Sequence, residues 1–256
     1  MSKPTHQVLA ILYVSFFWLT LYSWVETPLE ISLKLKKAPI KAFFMPPQKK
    51  PFLQEMLQKQ LNDFIADMKR DSIRQIDTTK QNILLTGDSM TEGLMFAFQK
   101  YAQYNGHQLK TVTWYSSTTL SWSEKDSLRK LIKKYQPTFV IFTTGSNELF
   151  IRNIQEREPN IQNIIQQAGN TKMVWIGPPN WAEDTGINQL IEKNIGKDRF
   201  FLSKYLKFER ARDGAHPTWE AAKIWADTIS SWIMHKSKYR IMMRKPPKLP
   251  NEVAKR

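Results

Sequence analysis

Between residues 80 and 235, apolar residues come in short unbroken runs separated by longer amphipathic stretches. The runs are Asn82–Thr86, Leu109–Trp114, Phe139–Thr144, Lys172–Ile176 and Phe200–Leu202. Their apolar, β-branched and aromatic residues predict strands, the one before Gly87 a buried one. The stretches Thr91–Tyr104, Glu124–Tyr135, Ile161–Ala168, Thr185–Ile195 and Thr218–His235 read as helices. Strand and helix in alternation predict an α/β fold, a central parallel sheet with helices on both faces.

A different pattern precedes this domain. Val8 to Val25 holds no charged residue and has about the length that crosses a bilayer. Tyr22 and Trp24 lie where an aromatic belt would be. Ser23-Trp24-Val25-Glu26-Thr27 is too bulky for a signal-peptidase site, so an uncleaved transmembrane anchor is expected over residues 1–25. A cleaved signal peptide and a buried core helix are the other readings. Lys34, Lys36, Lys37 and Lys41 follow the span, and the positive-inside rule would hold them in the cytoplasm, but long domains cross largely regardless of charge.

Residues 26–79 form a basic stalk and a connecting helix. Pro28, Pro39, Pro46, Pro47 and Pro51 disfavour a continuous helix in the first half. From about Leu53 to Ile76, Leu57, Leu61, Phe64, Ile65 and Met68 make an apolar stripe that suits packing on the domain or beside the anchor. Residues 80–235 are the domain proper. Residues 236–256, rich in Lys and Arg and carrying Pro246, Pro247 and Pro250, read as a solvated basic tail.

Composition narrows the chemistry. The chain has no cysteine, which excludes disulfides, thiolate metal sites and lipidation at a lipobox. A net charge of +15, from 38 basic and 23 acidic residues, suits nucleic acid, anionic lipid or acidic polysaccharide equally. No P-loop, zinc signature or dinucleotide fingerprint is present, so neither metal nor cofactor is expected. Asp88 and Glu92 have no histidine beside them to complete a metal site.

The first strand runs into Gly87-Asp88-Ser89 and a helical stretch follows. That places Ser89 at a strand's carboxyl end and a helix's positive end, where α/β sheets bind ligands and negative charge is favoured. The third strand ends in Gly145-Ser146-Asn147-Glu148, and Asp213-Gly214-Ala215-His216 sets a carboxylate three residues before a histidine. His6 lies beside the anchor, His107 sits in no matching motif and His235 ends the last helix, so His216 is the candidate base. An α/β-hydrolase elbow fits less well, because Thr91 stands where its second glycine belongs.

Over roughly Lys80 to Ile233 these blocks resemble the SGNH/GDSL hydrolase superfamily. The resemblance implies a flavodoxin-like α/β/α sandwich and a triad of Ser89, Asp213 and His216. Its oxyanion donors would be the N–H of Ser89, the side chain of Asn147 and a backbone N–H from a block after the second strand. That last block normally holds a glycine; here it is Trp114-Tyr115-Ser116-Ser117-Thr118-Thr119-Leu120, where Thr119 takes the glycine place. Glu148 stands where the family carries Asp, in a structural role. Trp175 belongs to the core, whereas Trp181 and Tyr115 follow strands at the active edge and are candidate substrate contacts. Trp181 would stack on a sugar ring or be buried under its loop.

The function expected from this resemblance is a membrane-anchored, extracytoplasmic serine esterase or O-acetyltransferase. It would act through an acyl-Ser89 intermediate on O-acyl, above all O-acetyl, esters of cell-envelope glycans. Some anchored relatives work beside a multi-spanning membrane O-acyltransferase, which makes such a protein a candidate partner. The alternatives are a catalytically inactive SGNH-fold glycan-binding or scaffold partner of such an acyltransferase, and a basic nucleic-acid-binding protein. Only charge supports the latter, so no nucleic acid is expected as a partner.

Overall fold

The structure is a computed structural model that describes residues 3–24, 58–62 and 75–247. Helix α1 is Lys3–Trp24, and nearly all its described side chains, Val8 to Leu21, are exposed and uncharged. Thr20 satisfies its hydroxyl by donating back to the carbonyls of Phe16 and Phe17. Among the described residues, no helix is long and apolar enough to cross a membrane. The described side chains of α1 stop at Leu21, and the expected span runs on to Val25, outside the described residues. Residues 58–62 are helical, as the connecting helix requires, but Gln75 and Ile76 at its expected end are irregular. The rest of that helix and the proline-containing stalk lie outside the described residues.

The described residues from 75 onward carry the alternating pattern. Strands β1 (Asn82–Gly87), β2 (Gln108–Thr113), β3 (Phe139–Thr143), β4 (Lys172–Ile176) and β5 (Phe200–Phe201) form one sheet in the order β2-β1-β3-β4-β5. Every neighbouring pair is parallel, with Ile83 beside Leu109 and Phe139, and Phe139 beside Lys172. Between them lie helices α2 (Met90–Tyr104), α3 (Thr119–Glu124), α4 (Ser127–Tyr135), α5 (Glu158–Ala168) and α6 (Ile187–Ile195), and α7 (Trp219–His235) follows β5.

Strand alternation divides the interior in two. Ile83, Leu85, Ile141 and Val174 face one cluster with Leu94, Phe98, Trp225 and Ile229 of α2 and α7. Leu84, Val140, Phe142 and Trp175 face the other with Leu128, Ile161, Ile164 and Ile191 of α4, α5 and α6. The result is three layers, helices over both faces of a parallel sheet. The chain leaves β1 for β2 and returns to β3 on its other side. Loops diverge at that reversal, and the resulting crevice is where such folds place ligands. Ser89 follows β1 and Asn147 follows β3, so both stand at this point.

Three segments differ from expectation. The helix expected over Glu124–Tyr135 is two helices. Thr118 starts the first early through a capping box with Ser121, and Asp126, at φ 50°, turns the chain left-handed between them. Short 3₁₀ turns at Ser146–Glu148 and Ile154–Arg157 were not foreseen.

The basic tail expected from residue 236 is also, in its first part, domain. Ser237, Ile241 and Met243 are fully buried, the last two within the α2/α7 cluster. Asp77 donates its N–H to Arg240 O (2.8 Å) and accepts from Met242 N (3.0 Å). His107 completes this seam. Its Nδ1 accepts from Gln81 N (3.1 Å), which leaves the ring proton on Nε2 to donate to Met242 O (2.6 Å). The apolar residues among the lysines and arginines carry the fold here, not the charges.

Candidate active site

Ser89 caps α2 with its own backbone already helical, φ −60° and ψ −22°. Two devices hold it there. Asp88 N donates to Thr143 O (2.7 Å), clamping the end of β1 to β3. The Asp88 carboxylate, 1% exposed, accepts from Met90 N (3.0 Å), Ser146 N (3.2 Å) and Ser146 Oγ (2.8 Å). Burial pushes its pKa up to about 6, against the pull of those hydrogen bonds. The middle residue of Gly-Asp-Ser is therefore a strut between the nucleophile turn and the Asn147 turn.

The structure brings Ser89, His216 and Asp213 together. His216 Nε2 lies 2.8 Å from Ser89 Oγ, and its Nδ1 lies 2.7 Å from Asp213 Oδ2. A carboxylate only accepts, so Nδ1 carries the proton and Nε2 is free to take the one on Ser89. The other oxygen of Asp213 accepts from the N–H groups of Ala215 (2.8 Å) and His216 (2.9 Å). The His216 N–H first, then its ring and the Ala215 N–H, hold the Asp213 carboxyl at about 2, so it is ionised throughout the neutral range. The three-residue spacing matters because one turn of loop lets a single carboxylate fix both the backbone and the ring of its histidine.

Asn147 follows Ser146 on the 3₁₀ turn, and its Nδ2 donates to Ser117 O (2.9 Å). An amide nitrogen carries two hydrogens, and this bond uses one. Thr119 is not where the resemblance placed it. It is fully buried, its N–H donates to Glu148 Oε2 (2.8 Å) and its hydroxyl to Glu148 Oε1 (2.8 Å), so that N–H is already committed. The left-handed residue of the loop is instead Ser116, at φ 56° and exposed, and this is the backbone a glycine would favour. Dihedral angles are not written in a Ser-Ser-Thr-Thr run, so no residue pattern marked Ser116.

Glu148 accepts from Thr119 twice and from Arg157 Nε (2.9 Å). Burial drives its pKa up, and Thr119 and then Arg157 oppose that rise. It ties α3, the Asn147 turn and the second 3₁₀ turn into one block. Glu148→Ala strands a buried N–H and an arginine, and the loss of one partner of a buried pair costs about 3–5 kcal/mol. Thermal unfolding should then fall by about 6–20 °C; a drop of a degree or two would show that the block holds without this carboxylate.

Tyr115 lines the cleft around the triad, whereas Trp181 sits on the turn that carries Asn147. A cleft of about 320 Å³ is lined by Ser89, Asp213 and His216 together with Tyr115, Glu92 and Trp219. Glu92 beside the Tyr115 phenol raises its pKa. Trp181 packs on the Asn147 turn, its indole N–H donating to Ser146 O (3.2 Å) and its ring against Phe150.

Sequence reasoning also missed Arg210. It donates to Ala215 O (2.8 Å) in the Asp213–His216 loop and to Asn180 O (2.7 Å), joining that loop to the one after β4. Nothing distinguishes Arg210 from the many other basic residues of this chain. Trp219 had a signal, three residues after His216 and directly after the helix cap.

No family model matches the chain, and no curated protein matches it. Several solved structures are similar to it. An acetyl xylan esterase shares 17% identity over 59% of this chain and 98% of its own, at a TM-score of 0.48. The psychrotrophic esterase EstA from Pseudoalteromonas sp. shares 18% over 59% of this chain and 94% of its own, at 0.43. A putative lipolytic protein of the G-D-S-L family from Desulfitobacterium hafniense shares 18% over 59% and 98%, at 0.39.

Proposed function

We propose that the chain is an SGNH-type serine hydrolase of acyl esters. The observation that carries this reading is the continuous hydrogen-bonded line from Ser89 Oγ through His216 to Asp213, at 2.8 and 2.7 Å. Ser89 Oγ attacks the ester carbonyl carbon as His216 Nε2 takes its proton, and Asp213 stabilises the imidazolium. The oxyanion is held by the Ser89 N–H at the start of α2 and by Asn147 Nδ2, with the exposed left-handed Ser116 contributing the third N–H. Collapse breaks the ester C–O bond, and the proton passes from His216 to the departing alcohol oxygen. Water, or an acceptor hydroxyl in its place, then releases the acyl group from Ser89. Hydrolysis and transfer share this intermediate.

The ester is, in this reading, an O-acetyl group on a cell-envelope glycan, and α1 anchors the protein with the domain outside the cytoplasmic membrane. Support comes from the uncharged run Val8–Val25 and from the resemblance of the motifs to anchored superfamily members. One experiment tests chemistry and placement together. A membrane-impermeant fluorophosphonate added to intact spheroplasts should label the full-length protein at Ser89. Labelling only after lysis would put the domain inside, and no labelling in either state would remove the serine-enzyme reading.

A further inference from the structure

We propose that Trp219, Tyr115 and Glu92 form a subsite for a pyranose ring, the sugar that carries the ester bond cleaved at Ser89. The inference rests on the serine-hydrolase reading and specifies what sits on the alcohol side of the ester. Its ground is the wall of the cleft. These three side chains share it with Ser89, Asp213 and His216, so a group bound to them is in reach of the nucleophile.

The two aromatic rings are exposed in a way their chemistry does not otherwise explain. Trp219 is 55% and Tyr115 58% exposed, at the mouth of a cleft whose inner residues, Met90, Ala222 and Trp225, are buried. Large apolar side chains left in water beside a site mark surface that a ligand covers. Trp219 is also placed by its helix and by a ring contact. It is the first residue of α7, directly after Thr218, whose hydroxyl caps the helix by accepting from Ala221 N (3.2 Å). Phe96 of α2 packs against it edge-on, with ring centroids 5.4 Å apart and planes at 64°. A platform fixed to the same short segment as His216 keeps its position relative to the base.

Glu92 supplies the polar half. It stands one turn past Ser89 on α2, and as a carboxylate it offers only acceptors. The Tyr115 phenol lines the same wall, and the carboxylate beside it raises its pKa, so the pair offers a donor next to open acceptors. A pyranose has this same division, with C–H groups on its faces that stack on aromatic rings and hydroxyls at its edge that donate to a carboxylate. The size agrees, since about 320 Å³ lies at the small end of ligand sites and takes one ring with a short acyl group. A quaternary ammonium would also meet aromatics and a carboxylate, but its cage needs enclosing rings, and these are open.

The test compares esters that share an acyl group and differ in the alcohol. Full-length protein in detergent is assayed with p-nitrophenyl acetate, with monoacetylated methyl glucoside, galactoside and xyloside, and with acetylcholine. The ratio of kcat/KM for the preferred pyranoside over p-nitrophenyl acetate should fall by about tenfold to a hundredfold in Trp219→Ala and in Glu92→Gln, mainly through KM. Trp219→Phe, which keeps a ring, should retain most of it. Ratios within about twofold of the parent in both variants would overturn the subsite while leaving the esterase intact, as would a preference for acetylcholine lost in Glu92→Gln. Absence of any Ser89-dependent turnover would remove the hydrolase reading and the subsite with it.

Discussion

Replacing Ser89 by Ala, or His216 by Ala, should lower kcat for an acetyl ester by about a million-fold, and replacing both should lower it no further. The reason is the single line of contacts. Ser89 Oγ is a weak nucleophile unless His216 Nε2, 2.8 Å away, removes its proton. Either loss therefore leaves the same residue of rate, that of an ester bound beside oxyanion donors without a nucleophile. Asp213→Asn should cost less, about ten-thousand-fold, by a different route. An asparagine Oδ1 can still accept from the Ala215 and His216 N–H groups, so the loop stays shaped. Its NH₂ then faces His216 Nδ1, the ring proton moves to Nε2, and the base can no longer accept from Ser89. Rates from single-turnover assays of the four variants check this. Additive losses in the double variant would mean that Ser89 and His216 do not act as a unit.

Gly87→Ala should remove folded protein rather than activity alone. A Cβ on Gly87 would sit 1.7 Å from Thr143 O and 2.4 Å from Thr143 Oγ1, both on the adjoining strand. Neither a backbone carbonyl in a buried parallel sheet nor its own side chain can withdraw that far, so β1 and β3 must part at their ends. The parting breaks the Asp88 N to Thr143 O bond and the 2.6 Å bond between the Thr91 and Thr143 hydroxyls. About 4 kcal/mol or more is expected, in the range that marks a severe lesion. Denaturant unfolding of whatever protein is recovered measures it. A stable variant with less than about 1 kcal/mol lost would show that the strand ends can separate cheaply.

The close approach explains why glycine begins the Gly-Asp-Ser run, and it shows what kind of information a sequence carries. Four of the strands were readable because a strand buried on both faces writes itself as a continuous apolar run, as in Phe139–Thr143, whereas β2 lies at the sheet edge and is half exposed. Ser89, Asn147, Asp213 and His216 were readable because each stands in a short block of characteristic chemistry. Properties that depend on dihedral angle or on distant neighbours were not. The N–H of Thr119 is consumed by Glu148 and the left-handed backbone of that loop falls at Ser116, neither of which the letters show. Ile241 and Met243 were hidden among lysines and arginines, since their partners lie in α2 and α7, far back in the chain. Trp181 and Trp219 are alike as letters, and only the course of the loops sends one to Ser146 and the other to the cleft.

The seam between Asp77 and Ile241 has a bearing on how this protein is made. A chain emerging from the ribosome offers β1 and its serine early, but Ile241 and Met243, which close the α2/α7 cluster, come out last. Until they do, the ends of α2 and α7 keep an apolar gap and the domain lacks one border of its core. The serine and the histidine, 127 residues apart, meet only once most of the domain has been synthesised. Parallel sheets already fold slowly because their contacts are remote in sequence. In the proposed reading, the Ser89 hydroxyl therefore lacks its base until His216 has been made and brought to it.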